Sequence, residues 1–185
     1  MFHGDQTSFT LTNDGPSAAS DSGTVTESPT GQQNPRCAMS IEGEYEPSPA
    51  QWVRDQVEQY EASGGARANT LRDTGLPIVI FTTRGNRSGK VRKTPVMRVE
   101  HDGEYALVAS KGGAVNHPVW YYNLLANPKD VMLQDGPAPF EVVVRQISGD
   151  ERAMWWERAV EAYPPYAEYQ MKTEREIPVF VATRR

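Results

Sequence analysis

Val53, Val57 and Tyr60 recur at helical spacing with Trp52 beside them, and Gly64-Gly65 follows. The pattern predicts an amphipathic helix that the glycines end. Its start is marked by Ser48 as a cap, Pro49 at the first helical position and Gln51 completing a capping box. After a polar linker the period changes. The apolar run Ile78-Val79-Ile80-Phe81 reads as a buried strand over Pro77 to Thr83, and a second strand is expected over about Thr94 to Glu100. Asp102-Gly103 then signals a hairpin into a third strand, Glu104 to Ser110.

Lys111-Gly112-Gly113 reads as a loop. Asn116 can cap a short helix to Leu125, which Asn127-Pro128 stops. Strands are expected over Lys129 to Gln134 and Phe140 to Ile147, joined by Asp135-Gly136-Pro137. Ser148 and Glu151 form another capping box for a helix through Trp155 and Trp156, broken by Pro164-Pro165. A short strand, Pro178 to Ala182, comes last. Short strands joined mostly by hairpins, with two or three helices between them, predict an α+β, mainly β fold: a small antiparallel barrel with flanking helices. No strand–helix alternation with a Gly-rich turn supports a doubly wound sheet.

Residues 1–38 break this pattern. They are rich in Ser, Thr, Gly, Pro, Asn and Gln, and bury too little apolar surface to offset ordering entropy. We expect a disordered tail there, with Met39 as the favoured start of the protein and 39–185 as one domain that keeps full stability and activity alone. A chain of 185 residues fits one domain. Cys37 is the only cysteine, and His3, His101 and His117 are scattered, so neither a disulfide framework nor a metal site is expected. No apolar run reaches the roughly 18–20 residues a bilayer requires, and no secretory signal is evident, so the expected location is the cytoplasm.

The net charge of −5 changes the meaning of one segment. Arg84, Arg87, Lys90, Arg92 and Lys93 form a run of five bases without an acid, with Gly85 and Gly89 among them. Backbone N–H groups and cations converging on such a turn suit an anion, although a solvated basic hairpin carries the same pattern. The acidic balance, with a pI of 5.3, speaks against nucleic acid as partner. Ser110 to Ala114 adds a strand end with glycines and Lys111, which an ordinary loop would also show. His117 to Asn123 places Trp120, Tyr121 and Tyr122 at a helix start, as core or as a cofactor platform. Tyr163, Tyr166 and Tyr169, three apart after a helix break, would line one side of a short helix. Three phenols need three partners, which favours a wet aromatic pocket over core. The chain shows no nucleophile elbow, P-loop, paired metal ligands or acid/base carboxylate pair, so the chemistry would rest with a bound organic cofactor.

Taken in order, Thr82 to Pro95, Val108 to Ala114, His117 to Leu124, Asn127-Pro128 and Tyr163 to Tyr169 resemble the deazaflavin-dependent nitroreductase family of actinobacteria. The resemblance covers the chain from about Gly43 onward. It implies the split β-barrel (FMN-binding-type barrel) and coenzyme F-420, an 8-hydroxy-5-deazaflavin with a phospholactyl-polyglutamate tail, as hydride donor. By motif, Asn86, Arg87, Ser88, Arg92 and Lys93 would meet the phosphate and acidic tail. Thr94, Pro95, Val96 and Met97, with Val108, Ala109, Ser110 and Lys111, would line the ring and ribityl chain. Val119, Trp120, Tyr121, Tyr122 and Asn123 would close the other side. Tyr166 would be the active-site phenol, contacting both coenzyme and acceptor, with Ser110, Tyr163 and Tyr169 beside it. Met97 stands where some relatives carry an aromatic residue.

The resulting expectation is a reductase using reduced coenzyme F-420 on a small electron-poor acceptor: a quinone, an activated alkene or a nitro compound. A quinone acceptor would bring peripheral association with the inner face of the cell membrane, although the mixed charge on the first helix, Arg54, Asp55, Glu58 and Glu61, makes its pull on anionic lipid weak. Two rivals remain at this level. The same barrel could use FMN, whose single phosphate calls for fewer cations than the turn holds. A non-catalytic module could bind an anion or RNA through Arg84 to Lys93. The oligomeric state is not legible.

Overall fold

The computed structural model describes residues 41–185. The expectations for residues 1–38, the start at Met39, Cys37 and His3 lie outside the described residues. Seven antiparallel strands form one sheet in the order β2-β1-β5-β6-β7-β4-β3. They are β1 (Ile78–Arg84), β2 (Val91–Met97), β3 (Glu100–His101), β4 (Glu104–Val108), β5 (Val131–Gln134), β6 (Pro139–Ile147) and β7 (Val179–Arg184). Four helices flank it: α1 (Gln51–Ala62), α2 (Val119–Ala126), α3 (Gly149–Ala162) and α4 (Pro165–Met171).

The two outermost strands, β2 and β3, are joined by Arg98 and Val99 alone. Ala106 N on β4 donates to Val99 O at 2.8 Å, and Arg98 N donates to Pro77 O at 2.9 Å. One stretch of chain thus holds both ends of the sheet, which must curl back on itself as a split barrel. Curling brings the two edge strands towards each other instead of leaving them far apart as a flat sheet would.

Alternation along the strands sends apolar residues to two cores. Val79, Phe81, Leu107, Leu133 and Phe180 form one, closed by Leu124 of α2. Ile78, Ile80, Met97, Val108 and Val179 belong to the other, under Val57 and Tyr60 of α1, Trp155 of α3 and Tyr166 of α4. Both faces of β1 are therefore buried, which explains its unbroken apolar run.

Several starts differ from the sequence expectation, each for a local reason. Helix α1 begins at Gln51 rather than Pro49, with Ala50 as its N-cap. Ser48 Oγ accepts from Ala50 N at 3.3 Å, while Gln51 turns to Asp55 at 2.5 Å, so the expected capping box does not form. Ser148 is the N-cap of α3 but makes no side-chain cap. Glu151 instead takes a two-pronged bond from Arg145, at 2.7 and 2.5 Å, a stronger pairing than a return to one backbone N–H.

Asn116 does not cap α2, which starts after Pro118. The residue before a proline is kept out of helical geometry, and Arg175 holds the preceding loop by Ala114 O at 2.9 Å. Strand β2 starts at Val91, three residues early, because Gly85 N closes the turn on Lys90 O at 2.8 Å and Arg84 pairs with Val91. Arg92 and Lys93 are therefore half-buried strand residues rather than members of an exposed turn. The Asp102-Gly103 hairpin forms as expected, with both residues at positive φ (52° and 79°).

Candidate active site

A cleft of about 690 Å³ opens between β2, the β4–α2 connection, α1 and α4. Its β2 wall runs from Arg92 to Met97, with Val108, Ser110 and Lys111 beside it. Val119, Trp120 and Asn123 enter from α2, and Tyr163, Tyr166 and Tyr169 close the opposite side. Fifteen sequence candidates from four separated segments thus meet on one surface. Six others lie off it. Asn86, Arg87 and Ser88 sit on the exposed tip of the basic turn. Ala109 is buried behind the wall. Tyr121 packs on Phe180 and stacks on His117 (centroids 5.6 and 4.1 Å), and Tyr122 is exposed outside the cleft. Of the three α2 aromatics, Trp120 alone lines the cleft, held edge-on by Phe81 at 5.1 Å.

The turn is nonetheless tied to the cleft. Asn86 N donates to Asn123 Oδ1 at 3.0 Å, leaving Asn123 Nδ2 buried and without a partner. An unmatched donor on a cleft wall costs stability unless a ligand acceptor reaches it. The walls offer apolar area for a ring, a spare donor and cations at one end. That donor set fits a deazaflavin with an anionic tail.

The cations are not free. Arg84 meets Asp130 at 2.6 Å, Lys90 meets Glu44 at 2.8 Å, Arg92 meets Glu46 at 2.6 Å and Lys93 meets Glu61 at 2.6 Å. Of the five bases, Arg87 alone has no ion pair among the described residues. Arg84 is a structural residue here, since it also donates to Gly89 O at 3.0 Å and holds the turn shut.

The three phenols form one cluster. Tyr163 and Tyr169 share a hydroxyl–hydroxyl hydrogen bond of 3.1 Å. Tyr166 lies edge-on to both, at centroid distances of 5.0 and 6.2 Å. The bond to Tyr169, with burial, pushes Tyr163 up to about 12. Burial first, then the two neighbouring phenols, raises Tyr166 further above the ordinary tyrosine range. Each is thus a protonated donor at neutral pH. Tyr166 is buried, yet its side chain borders the cleft and its hydroxyl makes no hydrogen bond to the described residues. Its hydroxyl is thus unengaged, whereas those of Tyr163 and Tyr169 are bonded to each other.

Two supports were missed in the sequence. Arg175, on the link from α4 to β7, donates to Ala109 O (3.2 Å), Ser110 O (2.9 Å) and Ala114 O (2.9 Å) and faces His117 Nδ1 at 3.2 Å. It holds the segment that carries Ser110 and Lys111. Burial and this guanidinium lower the His117 pKa, so the ring is a neutral structural acceptor. A lone arginine in a linker carries no sequence signal. Trp52 and Val53 of α1 also line the cleft; their helical stripe pointed only to core.

Gly113 fixes how closely this segment approaches α4. Its φ is +81°, and a Cβ there would stand 2.6 Å from Tyr169 O and 2.9 Å from Lys172 Cβ. Gly113→Ala should therefore cost about 1–3 kcal/mol through strain and a displaced α4. Urea unfolding checks this as a lower midpoint with unchanged slope.

The profile described as F420H(2)-dependent quinone reductase matches residues 52–184. The chain belongs to that family. An F420H(2)-dependent quinone reductase of Mycobacterium tuberculosis (strain H37Rv) is 37% identical over 112 residues, covering 59% of this chain and 74% of the relative. A solved F420-H2 dependent reductase (FDR-A) is 58% identical over 57% of this chain and 93% of its own, with a TM-score of 0.54. A structure described as a domain-swapped dimer is 51% identical over 73% of this chain and 99% of its own, at a TM-score of 0.57. The protein is thus a coenzyme F-420-dependent reductase of the split-barrel type, as its motifs implied. Among the described residues of this reductase no cluster of three His, Cys, Asp or Glu side chains could hold a metal, and no helix is long and apolar enough to cross a membrane.

Proposed function

We propose that this reductase carries out hydride transfer to a quinone within the 690 Å³ cleft, with other electron-poor acceptors such as activated alkenes and nitro compounds as side substrates. One observation carries the reading: cations, an apolar strand wall and a protonated phenol converge on a single cavity. Reduced coenzyme F-420, when bound there, supplies the hydride. Arg92, Lys93 and Arg87 would hold its phosphate and acidic tail, with Asn86 and Ser88 offering further donors. Thr94 to Met97 and Val108 to Lys111 would line the ring side, and Trp120 and Asn123 of the Val119–Asn123 segment would close it. These walls exclude water and set the distance between donor and acceptor.

Tyr166 would donate its hydroxyl to the acceptor oxygen on which negative charge builds, with Ser110 flanking it. The Tyr163–Tyr169 pair would orient that phenol. Val119 on the cleft rim is exposed, as are Tyr122 and Leu125 on the same helix. This supports peripheral contact with a membrane from which a lipid-dissolved quinone could enter. Mixing the protein with a quinone and either reduced coenzyme F-420 or reduced FMN, and following cofactor absorbance, tests the assignment. Oxidation of the deazaflavin alone is expected; equal or faster use of FMN would overturn it. Flotation with liposomes tests the membrane contact, which fails if the protein stays at the bottom of the gradient.

A further inference from the structure

After a bend at Gly43, the stretch Glu44-Tyr45-Glu46 runs extended beside the start of β2. Val91 N donates to Glu44 O at 2.8 Å, Glu46 N donates to Val91 O at 2.9 Å, and Tyr45 bridges Val91 in parallel. In extended chain, alternate side chains share a face. Glu44 and Glu46 accordingly reach Lys90 and Arg92, themselves two apart. Tyr45, on the other face, lies under Lys93, whose ammonium is 5.2 Å from the ring centroid. Glu61 of α1 then takes Lys93. Two parallel tracks, one of alternate acids and one of alternate bases, are thus zipped together, with the Glu46–Arg92 end on the cleft wall.

The position of this zipper is informative, since Glu46, Arg92 and Lys93 all line the cleft. The Arg92 and Glu46 side chains are 31% and 39% exposed, so the pair is of the weak, exchangeable kind. An anionic ligand entering there meets cations that are already neutralised by carboxylates tethered beside them. A tethered competitor acts at high effective concentration. We propose that Glu46 and, at the outer end of the same track, Glu44 are built-in competitors for the bases in reach of the coenzyme's acidic tail, Arg92 and then Lys90, so that tail binding exchanges one carboxylate partner for another. The proposal rests on the coenzyme assignment above. It makes the two glutamates determinants of coenzyme affinity and of its salt dependence. Exchange leaves the number of ion pairs nearly constant, whereas binding to free cations adds pairs that salt would screen.

Fluorescence titration measures the affinity directly, without turnover. The probes are coenzyme F-420 and the same deazaflavin with its ribityl chain but neither phosphate nor glutamates. Glu46→Gln should bind the full coenzyme about two- to fivefold more tightly, the size of one exposed ion pair, and the Glu44→Gln/Glu46→Gln double variant more tightly still. The tail-less compound should bind all three proteins alike, which also reports an intact cleft. Salt should weaken the full coenzyme more steeply in the double variant than in the wild type. Equal or weaker binding of the full coenzyme by Glu46→Gln, or an unchanged salt slope, would overturn the proposal. Failure of the wild type to bind coenzyme F-420 at all would overturn the functional assignment on which it stands.

Discussion

Tyr166→Phe is expected to lower turnover by about 10²–10³ while coenzyme affinity stays within about threefold. That is the usual loss when one donor aimed at a developing oxyanion is removed. The ring packs edge-on against Tyr163 and Tyr169, so phenylalanine keeps the contacts and loses only the hydroxyl. Stopped-flow oxidation of reduced coenzyme by a quinone measures the rate, and fluorescence titration measures the affinity. Unchanged turnover would make Tyr166 a packing residue; parallel losses of rate and affinity would place it in the coenzyme site alone. The raised pKa adds a pH test. Tyr166 keeps its proton well above the ordinary tyrosine range, so the rate should show no basic limb from this group up to about pH 10. The linked stability follows the same sign: it is fully present below the unfolded tyrosine range and is lost as pH rises above it.

Arg92→Ala is expected to weaken coenzyme binding by about 1.5–3 kcal/mol, the range for hydrogen bonds to charged groups. Two effects combine here. The cation is lost, and Glu46, which it neutralised at 2.6 Å, is left as an unpaired carboxylate on the cleft wall. Repulsion between that carboxylate and the coenzyme tail is screened by salt, so the loss should be larger at low ionic strength. Fold stability should fall by no more than about 1 kcal/mol, since a partly exposed ion pair contributes little. Titrations at several salt concentrations, with a parallel melt, separate these terms. An unchanged affinity at every salt concentration would remove Arg92 from the tail site.

Much of this was legible because the signals are local. The apolar run before Arg84, the Asp102-Gly103 turn and the Pro164-Pro165 break each dictate backbone geometry within a few residues. The candidate cleft was legible only in part, since motif order named residues but not their depth. Tyr121 and Trp120 are neighbours in the chain, yet only the indole lines the cleft, because a helix turns successive side chains about 100° apart.

The order of the helices and of every strand but β3, the antiparallel barrel, the deazaflavin family and most segments that meet in the cleft were legible in the sequence, which joined β2 and β3 into one strand from Thr94 to Glu100. All of these follow from local propensity or from motifs that survive in linear order. Tertiary structure alone decided that Arg98 and Val99 draw the two ends of the sheet together, that Arg175 braces the segment bearing Ser110, and that four of the five bases are already paired. Asp130 and Glu44 each lie 46 residues from their partners, Arg84 and Lys90. The sequence listed the acids and the bases, but their net fields depend on which lie within a few ångströms of each other, and only the curled sheet sets those distances.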